Sequence, residues 1–396
     1  MKELISKEEQ GALTLLKAAL SKENEIKIDN NVDSNMLLGL TKKHAIVSLI
    51  YDVVMEKGLF PEHQIRLEKE TKQIVLQSYR LLFLTKYVMN LLDAQGIKTV
   101  VLKGVATASF YPVPELRKSG DVDLLLPEKV DEKKLVDIMT AAGFQVSKDQ
   151  HANHHMVFVS QEGICIELHQ MLAEPFAYKK INRAMEKQMQ ESSRHIIYAD
   201  VMGVMLPVLD KVYHAYELLL HMLQHFMYAG FGLKLLCDWV MLWKQEWLEE
   251  EKQVFRQILK ESDLEKFAEG ITAVCIKYLG LGTSDFAWSI EISDTTDLLL
   301  RELLDSEEFG NSDNNRMVMM NGTGILAYVK EFHHQMHLNF PKAGKCFLLW
   351  PVLWIATLVR FLRNNKRVRN TSAQGVLKEA KRRSELMKQL RLFHSV

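Results

Sequence analysis

The sequence contains few cysteines, and they are not paired. Cys165, Cys237, Cys275 and Cys346 are scattered along the chain, without a Cys-x-x-Cys motif. This pattern lacks the spacing of a zinc ribbon or a disulfide framework, and it fits a reducing compartment. The first ten residues, MKELISKEEQ, are charged where a secretory signal needs an apolar run. We therefore expect a cytoplasmic protein.

The chain also lacks a net charge, with 50 Lys and Arg residues against 50 Asp and Glu residues. This balance gives no global attraction to nucleic acid, so a DNA duplex is not expected as a partner. The charge is nevertheless uneven, because residues 360–396 contain eleven Lys or Arg residues against Glu379 and Glu385. A solvated basic helix is the simpler interpretation of this tail, and a phosphate- or lipid-facing surface is the alternative.

No apolar run is long enough to span a bilayer. The most hydrophobic segment, residues 346–359, has 14 residues and contains Pro351, whereas a spanning helix needs about 20 apolar residues. The segment predicts a buried helix. Trp350, Trp354 and Arg360 flank it as interfacial anchors would, which makes weak peripheral membrane contact the alternative.

Apolar spacing favours three regions along the 396 residues. Residues 1–95 and 201–396 are expected to be mainly helical, and residues 96–200 are expected to form a small α/β core. The expected strands of this core are Lys98–Leu102, Asp121–Leu126, Met156–Ser160 and Ile164–His169, and its expected helices are Val105–Tyr111 and Asp131–Ala142. A continuous helix is expected over 233–252 and a flexible loop over 309–315. The predicted class is α+β, a mixed sheet flanked by N- and C-terminal helical regions.

Three acids in the expected core have the pattern of metal ligands. Asp121 and Asp123 are separated by one residue, so on a strand both carboxylates point to the same face. Carboxylates about 6–7 Å apart repel each other unless a cation lies between them, and Mg²⁺ prefers such oxygen ligands. Glu167 is an acid in an otherwise apolar strand, which is costly without a partner. The alternative is that these acids cap turns or pair with Arg117 and Lys118.

A longer motif surrounds these acids. The segment VVLKGVATASFYPVPELRKSGDVDLLLP, followed by CIELHQ, resembles the DNA polymerase β-type nucleotidyltransferase superfamily. It resembles more closely the bacterial branch of uncharacterised nucleotidyltransferases, and the likeness extends to residues 44–51, 225–238 and 309–310. The resemblance implies a Mg²⁺-dependent enzyme that moves a nucleoside monophosphate from an NTP, expected to be ATP, to an acceptor hydroxyl or phosphate, with release of pyrophosphate. The acceptor could be a small molecule, a protein or an RNA.

The resemblance also implies roles for individual residues. Asp121, Asp123 and Glu167 match the catalytic carboxylates that hold two Mg²⁺ ions, or Mn²⁺ in their place. Gly104 matches the glycine that opens a phosphate-cradling helix. The superfamily usually has Gly-Ser or Gly-Gly here, whereas this chain has Gly-Val, and Lys103 could supply charge in place of the missing hydroxyl.

Four more residues complete the predicted nucleotide-binding set. Arg117 stands four residues before the Asp-Val-Asp triplet, where its guanidinium could contact the triphosphate, and a solvated arginine is the alternative. His225, Lys234 and Asp238 lie where the helical region should cover the nucleotide. Lys234 and Asp238 are also an i, i+4 pair that could simply stabilise their helix.

Two other functions remain open at this point. A non-catalytic module could keep the fold and bind only a nucleotide or a partner, although such a module has no need to tolerate three mutually repelling carboxylates. A zinc hydrolase could use His214, His221 and His225, which fall on one helical face, but no acid or cysteine completes a known ligand spacing.

Overall fold

A mixed sheet forms the centre of the protein, whose structure is a computed structural model. The structure describes residues 5–21, 26–147, 155–176, 178–228, 230–306, 325–340 and 343–364. Within these residues seven strands form one sheet: β1 Val100–Val101, β2 Val122–Leu125, β3 Gln145–Val146, β4 His155–Val159, β5 Cys165–His169, β6 Ile196–Val201 and β7 Val204–Leu209. The α helices are α1 Lys7–Ser21, α2 Ser34–Lys43, α3 Tyr51–Glu56, α4 Gln64–Asp93, α5 Lys103–Ala108, α6 Glu132–Ala141, α7 Lys179–Ser192, α8 Lys211–Tyr228, α9 Leu233–Trp243, α10 Glu249–Ser262, α11 Glu265–Leu279, α12 Asp294–Leu304, α13 Ile325–Asn339 and α14 Trp350–Asn364.

The strand order is β3-β4-β5-β2-β1-β7-β6. Strand β1 runs antiparallel to β2 and parallel to β7, and β2 runs parallel to β5. The remaining neighbours are antiparallel, so the sheet is mixed. Most of the helices precede or follow the strands in the sequence, as α1 to α4 and α8 to α14. The predicted α+β class is therefore confirmed.

The side chains of β2 alternate between the two faces of the sheet, and each face packs against a different part of the protein. Val122 and Leu124 belong to an apolar cluster that includes Leu81 and Val88 of α4. Asp123 and Leu125 point to the opposite face, because successive side chains of a strand alternate, and Leu125 joins the large core of the helical regions. One face of β2 is therefore packed on α4, and the other carries Asp123 towards the C-terminal helices.

The hairpin of β6 and β7 was not anticipated. The two-residue turn Met202-Gly203 has φ of 52° and 81°, the positive values that favour tight hairpins. Strand β7 then pairs with β1 through Val101 and Val208, so the sheet continues past the boundary placed at residue 200. Pro207 lies inside β7, and a proline in such a run normally argues against a strand.

The N-terminal and C-terminal helical regions share one core. Leu13 and Leu16 of α1 lie in the same apolar cluster as Trp239 of α9 and Phe267 of α11. The continuous helix expected over 233–252 is instead two helices, α9 and α10. The side chain of Glu251 accepts a hydrogen bond from the Leu248 backbone N–H at 2.8 Å, and this contact caps the N-terminus of α10.

The prediction that residues 346–359 form a buried helix is wrong. Val352 and Ile355 of α14 are 65% and 64% exposed, and Leu353 is the buried apolar residue within the part of this helix whose side chains the structure describes, residues 350–360. The reason is that α14 packs mainly on α13, which covers one side only. None of the helices in the described ranges has the length and apolar character that crossing a membrane requires. The expected loop over 309–315 and the basic residues 365–396 lie outside the described residues.

Candidate active site

A cavity of about 500 Å³ lies between the sheet and helices α8 and α9, a size that suits a nucleotide-sized ligand. The residues that line it come from α5, the loop before β2, strands β2, β4 and β5, the segment after β5, and the two helices. Its polar lining residues are Lys103, Thr107, Arg117, Ser119, Asp121, Asp123, His155, Glu167, His169, Glu174, His221, Gln224, His225 and Lys234.

The three predicted carboxylates lie together. Strands β2 and β5 are parallel neighbours, and their register places Asp123 beside Glu167. Asp121 precedes β2 by one residue and shares the face of Asp123, because the two alternate with Val122. All three line the cavity. The sheet therefore brings two residues that are 44 positions apart in the sequence into one acidic centre.

Asp121 and Asp123 differ in acidity. The charge of Asp123, with burial, raises the pKa of Asp121 to about 6. Burial would also raise the pKa of Asp123, but the charges of Lys103 and His169 outweigh it and hold that pKa far below its usual range. Two adjacent acids that repel each other so strongly are a fitting site for a cation, since a bound cation would offset the repulsion.

Lys103 reaches this centre from the turn between β1 and α5. Its Nζ donates a hydrogen bond to Asp123 Oδ1 at 2.9 Å, and its side chain is 18% exposed. Burial would lower the pKa of Lys103, but the charges of Asp123, Glu167 and Glu217 raise it. Its φ of 42° is a left-handed value that a non-glycine residue adopts at a cost. The backbone is thus held in an unusual conformation that aims a charged ammonium group at the acids.

Gly104 is crowded where it meets the loop before β2. A Cβ atom on Gly104 would lie 3.1 Å from Ser119 Oγ and 3.2 Å from Ser119 Cβ. Arg117 Nη1 donates to the Gly104 carbonyl at 3.0 Å and to Ser119 Oγ at 2.6 Å. The glycine therefore allows the α5 turn and the loop before the Asp-Val-Asp triplet to pack closely together.

Arg117 and Asp238 contact each other. Arg117 Nε and Nη2 donate to the two carboxylate oxygens of Asp238 at 2.8 and 2.7 Å, and the Tyr111 hydroxyl donates to Asp238 Oδ1 at 2.7 Å. Arg117 is 4% exposed and Asp238 is fully buried. Asp238 is thus engaged by protein groups. The suggestion that it simply pairs with Lys234 misses this contact, which joins α9 to the loop before β2.

His169 forms the far side of the acidic centre. Its Nε2 lies 2.8 Å from Asp123 Oδ1 and 3.3 Å from Glu167 Oε2. Burial and Lys103 oppose protonation, but Asp123 and Glu167 raise the pKa of His169 overall. His155 on β4 lies opposite it, with Nε2 3.8 Å from Glu167 Oε2. The ligand atoms of His155, Glu167 and His169 all lie within 4.8 Å of one another, which makes this group a possible metal site.

Helices α8 and α9 form the wall that faces the acids. His221 and His225 form an edge-to-face pair with ring centroids 4.5 Å apart, and Lys234 lines the same cavity. Burial, with the charges of Lys103 and Lys234, lowers the pKa of His225 to about 4, so this imidazole is neutral near pH 7. The third histidine of the zinc alternative, His214, lies apart from this wall, because its Nε2 contacts Thr107 Oγ1 at 3.0 Å and its side chain is buried.

The sequence-based predictions assign no role to three residues of this region, His155, His169 and Glu217. His169 stands two residues after Glu167 and so shares its face. Glu217 is buried on α8, and burial raises its pKa to about 7. Among the residues that the structure describes, none forms a hydrogen bond with its Oε1. An acid beside the run Leu218–Leu220 is the same signal that drew attention to Glu167.

One comparison with known proteins identifies the family of this chain. A family model described as uncharacterised nucleotidyltransferase matches residues 30–280, which is well over half of the chain. The chain belongs to this family. The match includes the sheet and the acidic centre, so at the level of class the family member is a nucleotidyltransferase.

A solved structure is also similar, an antigenic nucleotidyltransferase-like protein from Paracoccidioides brasiliensis. It is 16% identical, and the alignment covers 51% of this chain and 92% of that chain, with a TM-score of 0.31. No curated protein matches the chain.

Proposed function

We propose that this family member is an active Mg²⁺-dependent nucleotidyltransferase of the DNA polymerase β type. It would transfer a nucleoside monophosphate from an NTP, ATP in first place, to a hydroxyl or phosphate of an acceptor, and release pyrophosphate. The observation that carries the proposal is the placement of Asp121, Asp123 and Glu167 on one face of neighbouring strands, at the wall of a nucleotide-sized cavity.

The donor set fits the divalent ions that the family implies. Asp121, Asp123 and Glu167 offer oxygen ligands, and the raised pKa of Asp121 shows an excess of negative charge there. When bound, two such ions would stabilise the charge on the attacking and leaving oxygens of an in-line displacement. Mn²⁺ is the expected substitute for Mg²⁺.

The residues of the chain would then act on the substrates directly. Lys103 would move from Asp123 to a phosphate oxygen, because a metal-bound carboxylate needs the ammonium group less than a triphosphate does. Despite burial, contact with His169 lowers the pKa of Glu167, so this acid is ionised near pH 7. Its carboxylate would orient the attacking acceptor hydroxyl and accept its proton as the new bond forms. The acceptor oxygen forms a bond to the α-phosphorus as the bond to pyrophosphate breaks.

The neutral imidazoles of His221 and His225 would face the nucleotide base or the acceptor, and Lys234 would add a positive charge near the phosphates. Arg117 would act as a positioning residue, since its contacts with Asp238 and Gly104 hold the start of α5, where the phosphates are proposed to bind. Family membership does not fix the acceptor, which is proposed only by class as a small molecule, a protein or an RNA.

One observation favours a second function, nucleotide binding without transfer. Lys103 already neutralises Asp123, so the centre can hold part of its charge without a metal ion. In that case the cavity would bind a nucleotide, but no label would reach an acceptor.

A label-transfer experiment tests the proposal. The protein is incubated with each α-³²P-labelled NTP, Mg²⁺ and cell lysate as the source of acceptors, beside the variant Asp121→Asn/Asp123→Asn. The matched control is Asp137→Asn, the same change on the exposed surface of α6, away from the cavity. Transfer by wild type and Asp137→Asn, with none by the double variant, supports the proposal. Equal transfer by all three contradicts it, and calorimetric ATP binding without transfer favours the binding module.

A further inference from the structure

The metal centre contains nitrogen as well as oxygen donors. Strands β4 and β5 pair in a register that places His155 directly opposite His169, and Glu167 shares the face of His169 because the two are separated by one residue. The parallel pairing of β2 and β5 puts Asp123 on this face too. Three adjacent strands thus present two imidazoles beside the carboxylates.

The distances are close to those of ligands around one ion. Glu167 Oε2 lies 3.3 Å from His169 Nε2 and 3.8 Å from His155 Nε2, and the ring centroids of the two histidines are 5.1 Å apart. An ion bound at about 2.1 Å by nitrogen and oxygen needs ligand atoms roughly 3–3.5 Å apart. Small rotations of the His155 side chain would bring its ring nitrogen into this range of the other two ligand atoms. The cavity on the other side of the three residues leaves a position open for substrate.

We infer that His155, His169 and Glu167 form a site for a transition-metal ion that accepts imidazole, with Mn²⁺ as the probe, beside the oxygen-only position of Asp121 and Asp123. Mg²⁺ prefers oxygen ligands and disfavours such a set, whereas imidazole suits Zn²⁺, Cu²⁺, Fe²⁺ and Ni²⁺ best. Mn²⁺ favours oxygen too, but as a transition-metal ion it accepts imidazole more readily than Mg²⁺ does. The inference deepens the proposed function, since it names the ion of the same site and rests on it for the role of that ion.

A simpler role exists for one of the three residues. His169 donates to Asp123 at 2.8 Å, and it could serve only to orient that carboxylate. This role does not call for a second imidazole against Glu167, and His155 is the residue that separates the two interpretations. His155 is half-buried and lines the cavity, so it can be changed with less risk to the fold than His169.

The test measures ligation directly. Mn²⁺ is added to the full-length protein, binding is titrated by electron paramagnetic resonance, and pulsed spectra are recorded for coupling to ¹⁴N. Wild type is expected to show ¹⁴N coupling from two imidazoles, and His155→Ala is expected to lose one coupling and to bind Mn²⁺ at least ~10-fold more weakly. The matched control is His195→Ala, which removes a histidine that also contacts a carboxylate, Asp210 at 2.8 Å, but lies outside the cavity lining.

A second variant keeps the test informative if His155→Ala does not fold. His155→Glu replaces nitrogen by oxygen, and it is expected to lose one ¹⁴N coupling while gaining affinity for Mg²⁺ in competition with Mn²⁺. The absence of ¹⁴N coupling in wild type, or full retention of it in both His155 variants, would overturn the inference. These readouts do not involve turnover, so a protein that ligates Mn²⁺ through nitrogen but transfers no label would contradict the proposed function alone.

Discussion

Two buried ion pairs lie on either side of Gly104, and they differ in what else can reach them. The side chains of Arg117 and Asp238 are 4% and 0% exposed, and two hydrogen bonds join the guanidinium group to the carboxylate. Lys103 and Asp123 contact each other through one oxygen at 2.9 Å, and both face the cavity. We call the first the closed pair and the second the open pair.

The comparison separates an ion pair that joins two elements of the fold from an ion pair that faces the cavity. The closed pair joins α9 to the loop before β2. Asp238 is fully buried and outside the cavity lining, whereas Arg117 reaches the cavity wall but already donates to Asp238, Gly104 and Ser119. The open pair can exchange its partners, since Asp123 also contacts His169 and Lys103 stands at the wall of the cavity. In the proposed function, a cation would take the place of Lys103 at Asp123, and a phosphate would take the place of Asp123 at Lys103.

The largest expected effect is on stability, from breaking the closed pair. Arg117→Met leaves the Asp238 carboxylate buried without its cation, which is expected to lower the free energy of unfolding by about 3–5 kcal/mol. Lys103→Met should cost less, because Asp123 keeps its hydrogen bond from His169. Urea unfolding of both variants measures this. Equal losses in the two variants would remove the distinction between the pairs.

The next effect is on chemistry, at the open pair. Asp123→Asn is expected to lower nucleotidyl transfer by about 10³-fold, since Asp123 is proposed to hold the metal ions and the loss of such a carboxylate forfeits several kcal/mol of charge stabilisation. Its stability should change little, because the amide keeps a hydrogen-bonding acceptor for Lys103. Single-turnover transfer and urea unfolding are measured on the same sample. A variant that loses stability and activity together would place Asp123 with the closed pair.

Glu217 gives a pH test of the region behind the open pair. Burial raises its pKa from 4.5 to about 7, so the folded chain keeps this proton in a window where the unfolded chain has lost it. Stability contributed by the neutral acid is therefore complete below pH 4.5 and is lost as the pH rises towards 7. The difference corresponds to about 3 kcal/mol.

Glu217→Gln should remove this dependence. Relative to wild type, the variant is expected to gain stability by about 3 kcal/mol between pH 4.5 and pH 8. Urea unfolding across this range measures the gain, with Asp137→Asn as the surface control. Parallel stability curves for wild type and Glu217→Gln would mean that Glu217 is ionised in the folded protein.

The smallest effect is expected at Gly104, between the two pairs. Gly104→Ala places a methyl group 3.1 Å from Ser119 Oγ, and it should cost about 1–2 kcal/mol and weaken ATP binding. The matched control is Gly39→Ala on α2, where nothing lies within 4 Å of the added Cβ. That change should stabilise the protein by about 0.5–1 kcal/mol. Calorimetry and urea unfolding compare the two, and a tolerated Gly104→Ala would show that the turn has room to adjust.

Much of the site could be predicted from local sequence pattern. The alternation of Asp121 and Asp123 with apolar residues predicts their shared face, and the hairpin that carries Glu167 follows from two short runs around a Gly turn. These signals need only a few neighbouring residues. Contacts between distant segments gave no such signal, and Arg117 stands 121 positions from Asp238.

Burial was also hard to predict. The apolar composition of residues 346–359 favours a core helix, yet α14 is largely exposed because its main neighbour, α13, covers one side. Strand β7 was missed for a related reason: Pro207 argues against a strand, but the pairing with β1 supplies the missing stabilisation. In both places the outcome depends on which element lies alongside.

The acidic face of β2, the glycine at the start of α5 and the α+β class follow from the spacing of neighbouring residues in the chain. The packing of distant segments is what binds Arg117 to Asp238, brings Lys103 onto Asp123 and places two histidines beside Glu167. These contacts join segments that are far apart in the chain, and their energies depend on burial, which arises only when the sheet and helices pack together.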